Sequence, residues 1–375
     1  MNASWTRRDF LSLSGGALLA SGLTPLSGMA AGNTGKPGDA EVYRKAFVLD
    51  CNTLASIGSF SDSDLAEIKP MLRDSGVSVI KSTLGGGGAD FEATVADIAA
   101  AQNLMERHPE LFIKVTGIAD LDRAKREHKL AVIFSFEAAS MLEDKLDRIE
   151  LFRGFGVRVM QLSYNRKSPF GCGCLDGDTD GVTDLGRQAI AKMNTLGVAL
   201  DLSHANTRTT ADGIALSTKP PLITHAGCRS VFVHPRNKED REMKALADKG
   251  GVMGIYMLPF LTEDTRQPML EDYMRHMLHA LQVCGEDHVG IGTDVPFFTI
   301  GPDDLEAMKK DEEERKAKGI AAPGENRPPY IPDLNMPRKL EKVSDALLAH
   351  GYGAAAVDKV LGLNFRRAFK EIWAV

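Results

Sequence analysis

Six apolar runs in this chain each end in a reactive polar residue. They are AFVLDC ending at Cys51, LAVIFSFE at Glu137, VRVMQLSY at Tyr164, VALDLSH at His204, PLITH at His225 and HVGIGTD at Asp294. Each run is short, rich in β-branched residues and flanked by helix-like or turn-like sequence. A strand buried on both faces has this pattern, because neither side of the ribbon meets water. Nine such strands are predicted, at 46–51, 77–83, 112–117, 130–137, 157–164, 197–203, 221–225, 251–257 and 288–294. Between them, 3.6-residue periodicity predicts helices near 62–73, 90–107, 120–128, 144–155, 184–196, 207–216, 239–249 and 266–284.

Repeated strand–helix alternation implies parallel βαβ units with right-handed crossovers. Eight or nine units in about 300 residues fit the α/β class as a (β/α)8 TIM-type barrel, whose C-terminal strand ends converge on one face where chemistry is built. A doubly wound open sheet is the competing architecture. It calls for a glycine-rich first turn, and Cys51-Asn52-Thr53-Leu54 is not one. After the last strand, residues 302–320 (DDLEAMKKDEEERKAKG within them) predict an exposed charged helix, and the Pro-rich 321–338 an extended loop leaving the functional face. Two helices, near 337–350 and 354–373, are expected to close the bottom of the barrel.

Composition narrows the class. A net charge of −6 and 43% hydrophobic residues describe a globular protein without a dominant basic stripe, which argues against a nucleic-acid partner. No internal apolar run reaches the roughly 18 residues of a membrane span. The N-terminus carries Thr6-Arg7-Arg8-Asp9-Phe10-Leu11, a weakly apolar LSLSGGALLASG stretch and small residues at Met29-Ala30-Ala31. In that order they form a twin-arginine export signal, placing the mature protein in a bacterial periplasm after passage through the twin-arginine translocase. The expected organisation is therefore a signal over 1–30, a linker over 31–44 and one barrel domain with C-terminal helices over 45–375. Five cysteines are too few for a disulfide scaffold, although the compartment would permit a bridge from Cys172 or Cys174 to Cys228.

The chemistry converges on Glu137, His204 and His225, a carboxylate and two imidazoles at strand ends. Three such ligands leave a zinc ion one open position for water, which the metal acidifies into a nucleophile. His108, His128 and His350 fall on helices or turns and are read as surface residues, while His276 and His279 share one helix face and are read as structural.

From about residue 45 to 373 the chain resembles the membrane (renal) dipeptidases, peptidase family M19, among the amidohydrolase-like barrels. The resemblance rests on Asp201-Leu-Ser-His204, on Thr224-His225 with Arg236-Asn237 and Asp240 after it, on Asp287-His-Val-Gly-Ile-Gly-Thr-Asp294 and on Gly362-Leu-Asn364-Phe365, with Gly181-Val-Thr-Asp-Leu-Gly186-Arg187 and Met193-Asn-Thr-Leu-Gly197 before the first histidine. It implies a hydrolase of dipeptides or similar small amides with a free carboxylate, and a homodimer. Glu137, His204 and His225 match metal ligands, Arg236 a group that holds the substrate carboxylate, and Asp294 a proton-transfer carboxylate.

Three positions depart from the pattern. Cys51 and Thr53 stand where the family's second metal takes a His-x-Asp pair, Tyr164 replaces a histidine that stabilises the tetrahedral intermediate, and Pro296 replaces a second aspartate. One firm zinc site is expected, with Cys51 as a conditional further ligand and Tyr164 as a donor to the oxyanion. A tailoring enzyme acting on an exported natural product, and a barrel that binds without catalysing, are the other readings.

Overall fold

Strands in this chain are short because each is a run of residues that avoid water on both faces. In the computed structural model, which describes residues 39–54 and 57–374, every residue of β1 (Leu49–Thr53), β4 (Leu130–Phe136), β5 (Val157–Gln161), β6 (Ala199–Asp201), β7 (Leu222–Ala226), β8 (Val252–Ile255) and β9 (Val289–Ile291) is buried. All pair in parallel, in the order β1-β2-β4-β5-β6-β7-β8-β9, with β2 at Val79–Thr83. The eight strands form a nearly closed barrel. The short β3 (Phe112–Lys114) pairs with Leu130–Val132 of β4, while β5 pairs with Phe134–Phe136 further along. Arg158 of β5 donates to the Thr116 carbonyl, joining the split edge.

Closure between last and first strands is made by side chains as much as by ladder. The Thr293 N–H and hydroxyl donate to the Asp50 carboxylate at 2.8 and 2.6 Å, and the Asp294 N–H donates to the Asn52 carbonyl at 2.8 Å. Leu49, Cys51, Val79, Ile133, Val159, Leu222 and Val252 belong to one buried cluster inside the barrel, continuous with Phe365 and Phe369 of the last helix. Those rings stopper the bottom. Gly290 admits them, since a Cβ there would lie 2.5 Å from the Phe365 ring.

The helices α1 (Asp39–Lys45), α2 (Asp62–Ser75), α3 (Phe91–Arg107), α4 (Ile118–Glu127), α5 (Asp147–Gly154), α6 (Asp184–Leu196), α7 (Thr207–Leu216), α8 (Asp240–Asp248) and α9 (Leu270–Cys284) precede α10 (Pro302–Ala317), α11 (Lys339–Ala349), α12 (Ala354–Asp358) and α13 (Asn364–Ile372). Their ends are written locally. Ser61 and Asp64 form a reciprocal capping box at the start of α2, and Gly76, at φ 71°, ends it. Thr183 caps α6 and Gly197 terminates it in the left-handed region.

Differences from expectation are local. Part of the expected 31–44 linker is helix, because Asp39–Lys45 packs Tyr43 into the core and donates its hydroxyl to the Ser75 carbonyl. The expected final helix is interrupted before Asn364, whose side chain donates instead to the carbonyls of Glu286 and Val289. The five cysteines are free, so neither Cys172 nor Cys174 bridges to Cys228. The export signal lies outside the described residues. Among those described, no helix is long and apolar enough to cross a membrane.

Candidate metal centre

The strand ends deliver their polar residues to one mouth. Glu137 follows β4, His204 sits in the turn after β6, and His225 lies within β7. One ligand atom from each lies within 4.8 Å of the other two, and all three residues are buried. The two imidazoles face each other through Nε2 at 3.0 Å, and the Glu137 Oε2 lies 3.6 Å from the His204 Nε2. Two nitrogens bound at about 2.0–2.1 Å to one tetrahedral zinc stand roughly 3.3 Å apart, so the set has the dimensions of a metal site.

Tautomers follow from the hydrogen-bond partners. Asn165 spends its amide N–H on the Ile320 carbonyl, leaving Oδ1 to accept from the His204 Nδ1 at 2.7 Å. The Thr224 hydroxyl donates to Asp201 Oδ2 at 2.7 Å, so it accepts from the His225 Nδ1 at 2.8 Å. Both rings therefore carry hydrogen on Nδ1 and present Nε2 lone pairs to the same point. Facing lone pairs repel unless a cation lies between them, and partners on the far nitrogen are what orient metal-binding histidines. Burial, followed by the Arg236 charge, pushes His204 down to about 3, and burial holds His225 well below its usual value. Both stay neutral, the form that binds metal.

Burial opposes ionisation of Glu137, but the field of its neighbours His204, His225 and Lys81 outweighs it and holds the carboxyl well below its ordinary range. With both imidazoles neutral, Lys81 is the full charge in that field. Thr83 donates to the Glu137 Oε1 at 2.7 Å.

Around this cluster lies a cavity of about 350 Å³ lined by Glu137, Tyr164, His204, Arg236, Asp294 and residues of the α10 excursion. Arg236 is fully buried, donates to the Ser203 carbonyl, and places Nη2 at 3.1 Å from the His204 Nε2. Asp294 accepts from the Asn52 side chain at 2.7 Å and holds a left-handed backbone, φ 57°. A non-glycine residue there is strained, a feature that clusters at functional sites. Burial, then the neighbouring Glu137 charge, raises its carboxyl to about 7. Tyr164 stacks on His204 with centroids 4.2 Å apart, and its hydroxyl accepts from Arg315 at 2.6 Å.

Cys51 is the expected ligand that stands apart. Its sulfur is outside the cluster of ligand atoms, its side chain belongs to the apolar barrel interior, and burial drives the thiol well above its usual value, which opposes the thiolate a metal needs. Thr53 points its hydroxyl at the Val295 carbonyl, 2.8 Å away. Sequence reasoning passed over Lys81, Asn165 and Arg315, and took Thr224 only as part of a motif. The lysine inside the apolar run VIKST was the legible signal. Asn165 and Arg315 carry no local mark, because only folding brings them to the histidines and to Tyr164. His276 is structural as expected, accepting from the Cys228 N–H and contacting the Leu261 carbonyl.

The model of the membrane dipeptidase family, peptidase family M19, matches residues 61–313. A Klebsiella pneumoniae protein, described as an uncharacterized protein in the pqqA 5′ region, is 28% identical over 265 residues, 68% of this chain and 87% of that protein. The solved amidohydrolase of Pseudomonas aeruginosa superposes with a TM-score of 0.77 at 29% identity, over 90% of this chain and 99% of that one. A metallopeptidase of Rhodobacter sphaeroides, solved with a phosphinate mimic of the dipeptide L-Ala-D-Ala, superposes with a TM-score of 0.70 at 22% identity, over 87% and 99% of the two chains. With more than half its length matched by the family model, and with the two histidines and the glutamate converging at the barrel mouth, the chain belongs to the membrane dipeptidase family, peptidase family M19, and is a metallo-dipeptidase-type hydrolase.

Proposed function

We propose that this protein is a periplasmic, zinc-dependent hydrolase of dipeptides or similar small amides bearing a free carboxylate. The observation that carries the reading is the convergence of Glu137 Oε2 and the two Nε2 atoms at the base of a cavity that also holds Arg236 and Asp294. The soft–hard balance of two imidazoles and one carboxylate suits zinc, and the residues fit it in number, tautomer and spacing. Bound there, the metal supplies an acidified water and polarises a carbonyl.

The chain's own groups do the rest. Asp294, with its carboxyl near neutral, accepts a proton from the attacking water and delivers one to the leaving amine. Arg236 Nη2, 3.1 Å from the His204 Nε2 that would hold the metal, is placed to donate to a substrate carboxylate. Burial keeps the proton on Tyr164 against the pull of Arg315, and because Arg315 donates to its oxygen the O–H is left to point at the developing oxyanion. The dipeptide mimic bound by the Rhodobacter metallopeptidase supports a dipeptide-sized substrate.

The twin-arginine signal supports periplasmic location, and the family resemblance supports a homodimer. A tailoring role on an exported natural product is the second reading, in which Arg315, Glu325 and Arg327, which wall the cavity from beyond the last strand, would select the substrate. Metal analysis of protein exported in its native host, combined with hydrolysis of a dipeptide panel, tests the proposal. Zinc with dipeptide cleavage sustains it, zinc without cleavage moves the assignment to the tailoring role, and absence of tight metal overturns it.

A further inference from the structure

Lys81 lies in the middle of β2, is wholly buried, and points into the barrel beneath the metal cluster. A lysine in that position is costly unless paired, so its partners matter. Its Nζ lies 3.3 Å from the Ser135 hydroxyl and 3.9 Å from the Glu137 Oε1. The Ser135 hydroxyl in turn donates to the Ser82 carbonyl at 3.0 Å, so its oxygen is turned toward the ammonium. The two oxygens of Glu137 are thereby divided. Oε2 faces His204, while Oε1 takes the Thr83 hydroxyl and the Lys81 charge.

We infer that Lys81 is a resident cation of this site: it confines Glu137 to one-oxygen metal binding and limits the cluster to a single divalent ion. The inference rests on the metal-site reading above. Two features of β1 agree with it. Cys51 lies in the apolar interior outside the ligand cluster, and Thr53 has committed its hydroxyl to the Val295 carbonyl, so neither of these β1 residues offers an anionic ligand for a second ion. The pair Glu137 and Lys81 is neutral in sum. The protein ligands therefore leave the charge of a bound divalent ion uncompensated, and the pocket stays attractive to a substrate carboxylate.

A fixed positive charge a few ångströms from the metal repels it, and that repulsion is strong where water is excluded. Removing an outer partner of a ligand ordinarily weakens metal binding about 10–100-fold. Here Thr83 still holds Oε1, so loss of repulsion dominates. The test is zinc titration of the mature wild-type protein, Lys81→Met and Lys81→Gln, with His204→Ala alongside and circular dichroism for folding. Wild type should bind one zinc, and both Lys81 variants should bind it at least about tenfold more tightly. Unchanged or weaker zinc binding by folded Lys81→Met and Lys81→Gln overturns the role of Lys81 while leaving the metal site in place. Equal zinc binding by wild type and His204→Ala overturns the site itself. If Lys81→Met does not fold, Lys81→Gln decides, and if neither folds, two tightly bound zincs per wild-type chain overturn the single-ion limit while one sustains it.

Discussion

Arg315, on a helix beyond the last barrel strand, donates to the hydroxyl of Tyr164 at 2.6 Å. The same guanidinium is held by Glu325 at 2.8 and 3.0 Å, and the Tyr164 ring stacks on the metal-ligand candidate His204. One arginine thus couples the α10 excursion to the centre of the site. Tyr164→Phe keeps the stacking ring and removes the hydroxyl. It should lower kcat by about 10²–10³, the usual effect of losing an oxyanion donor, with zinc affinity unchanged. Steady-state kinetics that show an unaltered kcat would remove Tyr164 from the reaction.

His204→Ala and His225→Ala should each abolish tight zinc binding, because two protein ligands remain. Thr53→Ala should bind zinc as the wild type does, since its hydroxyl serves the Val295 carbonyl. Elemental analysis after dialysis distinguishes the three. Retention of zinc by both histidine variants would place the metal elsewhere.

Asp294→Asn should reduce kcat by about 10²–10⁴ while zinc stays bound, as expected for loss of an acid–base group. Asn can still accept from the Asn52 side chain, so folding should survive. Equal loss of metal and activity would instead identify Asp294 as a ligand.

Asp50, buried at the barrel seam, is raised to about 6 by desolvation against its hydrogen bonds from Thr293 and Asn52. Its unfolded value is about 3.9, so between these values the folded state holds more protons than the unfolded state. Stability from this group is fully present below about pH 4 and is lost as pH rises through about 6. Two units correspond to about 3 kcal/mol as an order of magnitude. Asp50→Asn should flatten the fall in stability over that window, read as urea midpoints against pH. An identical pH profile for the variant would assign the dependence to other groups.

Arg7→Lys with Arg8→Lys should hold the precursor in the cytoplasm, seen by fractionation and the uncleaved mass. Normal accumulation in the periplasm would point to another export route.

Much of this protein is legible along the chain. Strand 130–137 reads as buried because Leu130, Val132 and Phe134 face the helices while Ala131 and Ile133 face the barrel interior, and neither face tolerates polarity. The same rule placed Glu137, His204 and His225 at one mouth, since parallel strands share a polarity and their C-terminal ends meet. Element types are local, set by periodicity and caps such as Ser61 and Thr183.

What tertiary structure alone decided is the state of each group at the mouth. The tautomers of His204 and His225 depend on Asn165 and Thr224, which act through oxygens whose own hydrogens or amide groups are spent elsewhere. Cys51 ends its apolar run as His225 ends another, yet its side chain falls in the dry interior and stays out of the cluster. Lys81 is 56 residues from Glu137 in the chain, and only the pairing of β2 with β4 sets its ammonium against that carboxylate. The sequence determined that Glu137, His204, His225 and Asp294 reach the barrel mouth, because strand direction and hydrophobic alternation are local properties. Charge, tautomer and ligand geometry came from the packed fold, because they are set by neighbours that burial brings together from distant parts of the chain.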